Sequence, residues 1–469
     1  MNIHISPGTV SGLGPRERVI LDELLDIYRR HIDGNEKKSR YYEGKISLNS
    51  VNLGIALPDG LSRLEIGCAW GAKTVDVLAG RSMFDGYVGT NGEAVEELDA
   101  IVAGNRLISE YGKACRDELK YGCTFATLSA DPETGCRIRF HSPQTAAARW
   151  NGELGRIQYG FAVISTAPDN NSSGTWSPDV INLYTDTDVW VLRRTDQRWA
   201  ARREPHPMGR PLMEPMIWNA TSSKPFGRSR IKEPIRRLID GYVRTIANAT
   251  IGLEFSTTPQ KYLLGVTDEQ FDAVVNQKFR QYVGSIMTST INPQTGEKPT
   301  FGQLQQGSLA PHVEMIRLLA TQFSAATGLS VTDTGVINDA NPSSSDAILA
   351  QSQTLVSMAE QLNAGNGAAL KTIALMALAI ANGTTPDRLS DEQRDIVAHF
   401  KNPAMPSVAV TADAAIKIAS ARTEFAQTDT FLEMIGFSQA DIRRIRAQES
   451  RTRGLNVLTE EFDDADVGA

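Results

Sequence analysis

The stretch from Gly209 to Gly265 constrains this chain more than any other. A proline-rich approach, Met208-Gly209-Arg210-Pro211-Leu212-Met213-Glu214-Pro215-Met216, leads to Lys224-Pro225-Phe226-Gly227-Arg228-Ser229. Apolar residues then recur at Ile231, Ile235, Leu238, Ile239, Tyr242, Val243 and Ile246, the spacing of one helix face. Pro234 falls in the first turn, where its missing N–H costs little. About 22 helical residues at 1.5 Å each predict a rod of roughly 33 Å. Pro259-Gln260-Lys261-Tyr262-Leu263-Leu264-Gly265 follows it. Nothing in the stretch resembles a catalytic site; it reads as an assembly device.

The rod has a second face. Lys232, Arg236 and Arg244 share one four-residue ridge with Arg237 beside it, and Arg228 and Arg230 stand at the entrance. Between 228 and 244 these six basic residues meet two acidic ones, Glu233 and Asp240, a local charge of +4 in a chain of net charge −7. A solvated face explains such a cluster in most proteins. The alternative is a surface for nucleic acid or for acidic neighbouring subunits.

The whole chain is too acidic to coat nucleic acid generally. Its 469 residues suggest about three domains, and 41% hydrophobic with 22% charged residues describes an ordinary soluble protein. Cys68, Cys115, Cys123 and Cys136 match neither a zinc site nor a CxxC pair, so free thiols are expected. No signal peptide is recognised, and the apolar stretch from Ala368 to Ala381 is too short to span a bilayer, so a buried helix is predicted there.

Periodicity predicts a first helix over Pro15–Asp33, stopped by Gly34. Residues 115–210 read mostly as β, with strands at Arg156–Ile164, Val180–Tyr184 and Val189–Arg194. A small helix is expected at Asp268–Ile286, followed by a Pro/Gly/Gln-rich return. A second rod spans His312–Thr327, with Val313, Ile316, Ala320 and Phe323 turned inward and Gly328 as its C-cap. After a polar loop, Ser343 and Asp346 open a long helix to Ala381, with a kink expected at Gly365-Asn366-Gly367. Helices are predicted again from Thr411 to Ile435 and from Ser438 to Arg453, before an acidic tail.

Enzymatic signals are thin. Gly67-Cys68-Ala69-Trp70-Gly71-Ala72-Lys73-Thr74 is one residue from the G-x4-G-K-[ST] phosphate loop and follows a short apolar strand, Leu61–Ile66. Ala72 replaces the glycine whose missing Cβ lets backbone N–H groups close on phosphate, and no strand-end Asp for Mg²⁺ is found. The competing reading is a Trp70-anchored turn into a helix over Thr74–Arg81. His4, His31, His141, His206, His312 and His399 never approach metal-ligand spacing, and no nucleophile motif occurs. Arg193, Arg194, Arg198, Arg202 and Arg203, interleaved with Trp190 and Trp199, suggest a charge-protected strand edge or a subunit contact. No enzyme activity and no cofactor are expected.

Several segments together resemble the portal proteins of tailed double-stranded-DNA phages. They are Ser39-Arg40-Tyr41-Tyr42-Glu43-Gly44, then Trp70 with Val75-Asp76-Val77-Leu78, Arg81 and Gly86-Tyr87. His206, Gly209 and Pro211 match an approach motif, and Phe226-Gly227-Arg228-Ser229 and Pro259–Gly265 flank the stem helix of that family. Thr327-Gly328-Leu329 and Asn341-Pro342-Ser343-Ser344-Ser345-Asp346-Ala347 precede its long wing helix. Their order runs over almost the full length.

The resemblance implies a predominantly helical α+β portal-type fold with wing, stem, clip and crown regions in a ring, usually dodecameric. Residues 1–225 would be wing, 226–256 the first stem helix, 257–310 the clip, and 311–330 the second stem helix. Residues 331–410 would hold a tunnel loop, the long kinked wing helix and a return, and 411–469 a helical crown with its acidic tail. Implied partners are double-stranded DNA in the channel, the terminase large subunit, the major capsid protein and scaffold, and a head-tail adaptor, with no membrane. The implied location is the capsid portal vertex of the virion, after synthesis in the host cytoplasm. Asn338, Asp339 and Asn341 would face DNA. The family's tunnel is typically acidic, so the basic face at Lys232, Arg236, Arg237 and Arg244 is better suited to neighbouring subunits than to DNA. Two rivals stand beside this reading: an ATP-dependent DNA enzyme using Gly67–Thr74, and another virion structural protein such as a minor head protein or adaptor.

Overall fold

A computed structural model describes residues 3–47, 65–89, 96–168, 176–195, 198–257, 261–264, 296, 298, 300–303, 308–336, 345–404, 408–437 and 441–452. The first elements are α1 (Pro15–Tyr42), β1 (Lys45–Ser47), β2 (Glu65–Gly67), α2 (Trp70–Ala79), β3 (Phe84–Gly89), α3 (Glu96–Gly104) and α4 (Leu107–Tyr121). Strands β4 (Cys123–Asp131), β5 (Gly135–His141), β6 (Ala146–Asn151), β7 (Arg156–Pro168), β8 (Trp176–Tyr184), β9 (Asp188–Thr195), β10 (Arg198–Pro205) and β11 (Met213–Ile217) follow. Then come α5 (Glu233–Thr257), β12 (Lys261–Leu264), β13 (Thr300–Gln303), α6 (Ala310–Thr327), α7 (Ser345–Ala381), α8 (Asp391–Arg394), β14 (Ile396–Phe400), α9 (Val408–Ala421), α10 (Asp429–Ile435) and a last helix at 441–452. Helices outweigh strands in this mixed fold.

Two cores follow from two patterns of burial. In the first, α1 buries Ile20, Leu21, Leu24, Leu25 and Tyr28, one stripe of a 3.6-residue period. It lies on the antiparallel sheet β10-β9-β8-β7-β6. The sheet alternates as strands must, and Phe161↔Leu183, Val163↔Ile181 and Ile181↔Leu192 put their apolar side chains on one face. Tyr28 meets Phe161 edge-on at 5.9 Å and donates to the Gln144 carbonyl at 2.9 Å. Each Leu or Phe fully buried here stabilises by about 1.5–3 kcal/mol.

The helix does not stop at Gly34. It runs on to Tyr42 because several residues beyond the glycine find partners. Asn35 donates to the Pro143 carbonyl at 3.3 Å, Lys38 to the Tyr121 carbonyl at 3.1 Å, and Tyr42 to Asp76 at 2.8 Å. A glycine in a helix interior costs about 1 kcal/mol, which these contacts outweigh.

The second, larger core is organised by α7. Leu370, Ile373, Ala374, Met376, Ala377 and Leu378 are fully buried against the sheet β11-β4-β5 and the pair β14-β3. The stretch Ser352–Ala381 is long and apolar enough to cross a bilayer by composition alone, but half of its most apolar window is buried inside the fold. No break occurs at Gly365-Asn366-Gly367, and the helix passes through all three residues. The side chain of Asn366 is fully buried and bonded there, which fixes the segment that two glycines would otherwise loosen.

Other expectations need adjustment. Residues 115–121 belong to α4 and not to a strand. The region expected as one helix from Thr411 to Ile435 is two, α9 and α10, separated by a short 3-10 turn at Phe425–Gln427. Thr428 restarts the helix by accepting from the Phe431 N–H at 3.3 Å, and Gly436 closes it with a φ of 106°. The Asp268–Ile286 helix and the Ser343 start lie outside the described residues, as does all of the Leu61–Ile66 strand except its last two positions. The carboxy-terminal helices are tied to the body by an Arg443–Asp99 ion pair and by His399, which lies 3.6 Å from Glu433 and 3.9 Å from Asp85.

The five arginines of the second hairpin divide as strand pairing dictates. Strand β10 is the edge of its sheet, and the amino-terminal segment covers part of it: Ser11 donates to the Trp199 carbonyl at 2.9 Å and accepts from the Ala201 N–H at 2.7 Å. Arg203 binds Asp188 with two hydrogen bonds, at 2.6 and 3.1 Å, and Arg202 pairs with Glu204. The edge is therefore protected by the chain itself as well as by charge.

Candidate functional site

The candidate site is the pair of rods, α5 and α6. Buried residues on α5 recur at Ile235, Ile239, Val243 and Ala247, a strict four-residue ridge. On α6 the buried set is Leu319, Ala320 and Phe323. A Cβ on Gly241 would lie 3.3 Å from Leu319, and one on Gly252 would lie 3.6 Å from Leu309. Moving up one helix therefore moves down the other, so the rods are antiparallel. At their far end β12 and β13 continue the hairpin, with Lys261↔Gln303 and Leu264↔Thr300 paired antiparallel. At 1.5 Å per residue α5 is roughly 37 Å long.

The near end is clamped. Trp70 is buried between Tyr242 of α5 at 4.5 Å and Phe323 of α6 at 4.8 Å, and its indole N–H donates to the Thr334 carbonyl at 3.1 Å. Arg230 is buried too. Its Nε donates to the Thr74 carbonyl at 2.7 Å and its Nη2 to the Thr327 carbonyl at 2.8 Å, joining α2 to the carboxy-terminal end of α6. Burial pulls its guanidinium down to about 10, still charged at neutral pH, and the negative end of the α6 dipole faces it. Tyr41 completes the clamp by donating to Asp240 at 2.7 Å. Gly227, with a φ of 68°, fits the turn into α5 because a Cβ there would strike the Trp218 carbonyl.

The basic face predicted on α5 is thus only partly a face. Lys232, Arg237 and Arg244 are exposed. Arg237 pairs with Glu233 at 3.2 Å across one turn. Arg236 is half-buried: it donates to the Ile231 carbonyl at 2.9 Å and sits 6.0 Å over the Tyr41 ring. Arg230, counted with this face in the sequence, is withdrawn from it altogether. The partners that bury it come from α2, α6 and α7 and leave no local signal in the sequence.

The rods and the strand beyond them also expose apolar side chains among polar ones. Leu253, Val313, Met315, Leu318 and Leu264 are all exposed, Leu318 by 52%. Val313 was expected to turn inward; it lies on the stripe of Ala320, seven residues on, yet is 47% exposed, because it sits at the end of the pair away from the body that covers Ala320 and Phe323. Ile316 is half-buried, and Ala320 and Phe323 are inward as expected.

The phosphate-loop resemblance dissolves in the geometry. Gly71 faces the Tyr41 carbonyl so closely that a Cβ would collide with it, so this glycine serves helix packing. The Thr74 hydroxyl donates to the Trp70 carbonyl at 2.8 Å within α2, and its carbonyl receives Arg230. Cys68 is buried and its thiol is pushed up to about 11 by burial. Lys73 points to solvent. The Trp-anchored turn accounts for Trp70, Gly71 and Thr74 of the motif. Asn338, Asp339 and Asn341 lie outside the described residues.

Three comparisons with known proteins bear on these observations. A family model described as "Phage portal protein, SPP1 Gp6-like" matches residues 21–454. No curated protein matches the sequence. Among solved structures, a chain of the neck of the empty gene transfer agent (GTA) particle in C6 symmetry is 13% identical, with a TM-score of 0.45 over 86% of this chain and 98% of that one. Chains of the virion of the native GTA particle and of its neck in C12 symmetry are each 12% identical, with a TM-score of 0.45 over 78% of this chain and 89% of theirs.

Proposed function

Because the chain belongs to the SPP1 Gp6-like phage portal protein family, we propose that it assembles into a ring at one capsid vertex, with DNA passing along the axis during packaging and ejection. The observation that carries this reading is the antiparallel rod pair, clamped to the body at one end and exposing apolar side chains along its length. A lone chain gains nothing from exposing Leu253, Val313, Met315 and Leu318; a cyclic assembly can bury such side chains against its neighbouring subunits. In this proposal residues 1–225 are the wing, 226–256 and 311–330 the stem, 257–310 the clip, 331–410 the tunnel loop and wing helix, and 411–469 the crown.

The protein's role in this scheme is mechanical. The terminase motor supplies the energy, and the portal supplies a channel and a docking surface, first for the motor and then for the head-tail adaptor. A bore that does not pair tightly with phosphate lets DNA slide, since each phosphate neutralised adds salt-dependent affinity. Lys232 and Arg244 are accordingly assigned to contacts between subunits, and Asn338, Asp339 and Asn341 to the bore. Deleting 336–342 tests the second assignment: unchanged packaging and unchanged DNA retention would defeat it. Electron microscopy of the purified protein, with its mass in solution, tests the whole. Rings with a central channel are expected; a compact monomer or dimer persisting across salt and concentration would overturn the proposal.

A further inference from the structure

Glu118 of α4 is a buried carboxyl with no cation bonded to it. It is fully enclosed, its Oε2 accepts from the Asn366 side-chain N–H at 2.8 Å, and its Oε1 has no partner. The Asn366 Oδ1, equally buried, also has none. The second Asn366 N–H donates to the Tyr111 hydroxyl at 3.0 Å, and that hydroxyl shares a 2.6 Å hydrogen bond with Ser82, which donates to Asn363 at 2.6 Å. Two orphaned acceptors on two side chains already joined by one hydrogen bond have a simple remedy: a single proton. Ionised, Glu118 would be an uncompensated buried charge, which proteins avoid by neutralising the group.

We propose that Glu118 keeps its proton in the folded protein and forms a reciprocal acid–amide pair with Asn366, latching the middle of α7 to α4. The groups around it agree. Tyr111 and Cys115 on its own helix and Cys123 at the head of β4 are all held neutral by burial. Lys38 of α1 acts on Cys123, but its ammonium donates to Asn35 and Tyr121. Arg116 acts on Cys115 while its side chain is half-exposed and donates to the Gly112 carbonyl. Burial pushes the Glu118 carboxyl from 4.5 up to about 8. The folded chain therefore holds a proton that the unfolded chain loses near pH 4.5. The latch is at full strength below that pH and is lost as pH rises through about 8. The latch is independent of ring assembly.

The test compares thermal unfolding of the full-length wild type and Glu118→Gln from pH 5 to pH 9. Glutamine keeps both hydrogen bonds of the pair and cannot ionise. The ratio of the two unfolding constants should change by up to about tenfold per pH unit across the window from 4.5 to 8, with the variant gaining as pH rises. Parallel curves, or a glutamine variant that fails to fold, would overturn the proposal. A second readout is the infrared difference spectrum between the two proteins at pH 6. A protonated-carboxyl C=O band present in the wild type and absent from the variant is expected, and ionised-carboxylate bands in its place would defeat it.

Discussion

The two ends of the rod pair follow opposite rules. At the near end Trp70, Tyr242, Phe323, Arg230 and Tyr41 satisfy one another within a single chain, aromatic against aromatic and guanidinium against carbonyl. Towards the far end Leu253, Val313, Met315 and Leu318 touch water. The difference teaches which part of the rods is covered by the chain's own side chains and which is not, and in the proposed ring the uncovered part is the one that meets a neighbour.

Substitutions can break or sharpen that contrast, and their expected effects on the single chain run from several kcal/mol to almost none. Trp70→Ala removes both aromatic contacts and the bond to Thr334, and should cost about 3–5 kcal/mol in thermal or denaturant unfolding. Arg230→Met strands the Thr327 carbonyl at the end of α6 and takes a second donor from the Thr74 carbonyl. It should cost about 1–3 kcal/mol for the acceptor left unpaired, and Arg230→Lys should rescue little because an ammonium cannot span both carbonyls. The double variant Val313→Glu, Leu318→Glu should change the melting of dilute subunits by no more than about 0.5 kcal/mol while abolishing the ring in size-exclusion chromatography. A large loss of subunit stability instead would mean that this face is already covered within the chain. Arg237→Ala removes only an exposed pair with Glu233 and should cost less than about 0.5 kcal/mol, falling further in salt.

What the sequence disclosed was whatever local periodicity encodes. The ridge on α5, the Gly328 end of α6 and the strands after Arg156 were legible because apolar spacing and turn residues act over a few positions. Gly34 misled because tertiary partners, Pro143 and Tyr121, hold the helix through a weak point. Arg230 was counted as surface for the same reason: its partners lie 156 and 97 residues away. Val313 shares the stripe of Ala320 and is still exposed, because apolar spacing places a residue on a face without telling whether anything covers it.

The clamp has a mechanical consequence. A hairpin held at one end and extended at the other is a cantilever, and a sideways load at its tip produces the greatest bending moment at its root. The root here is Trp70, wedged between the two rods, and its indole N–H is bonded to Thr334. Thr334 lies four residues before Asn338 in the chain. A deflection of the tip is thus felt first at a ring whose only polar atom is tied to the Thr334 carbonyl.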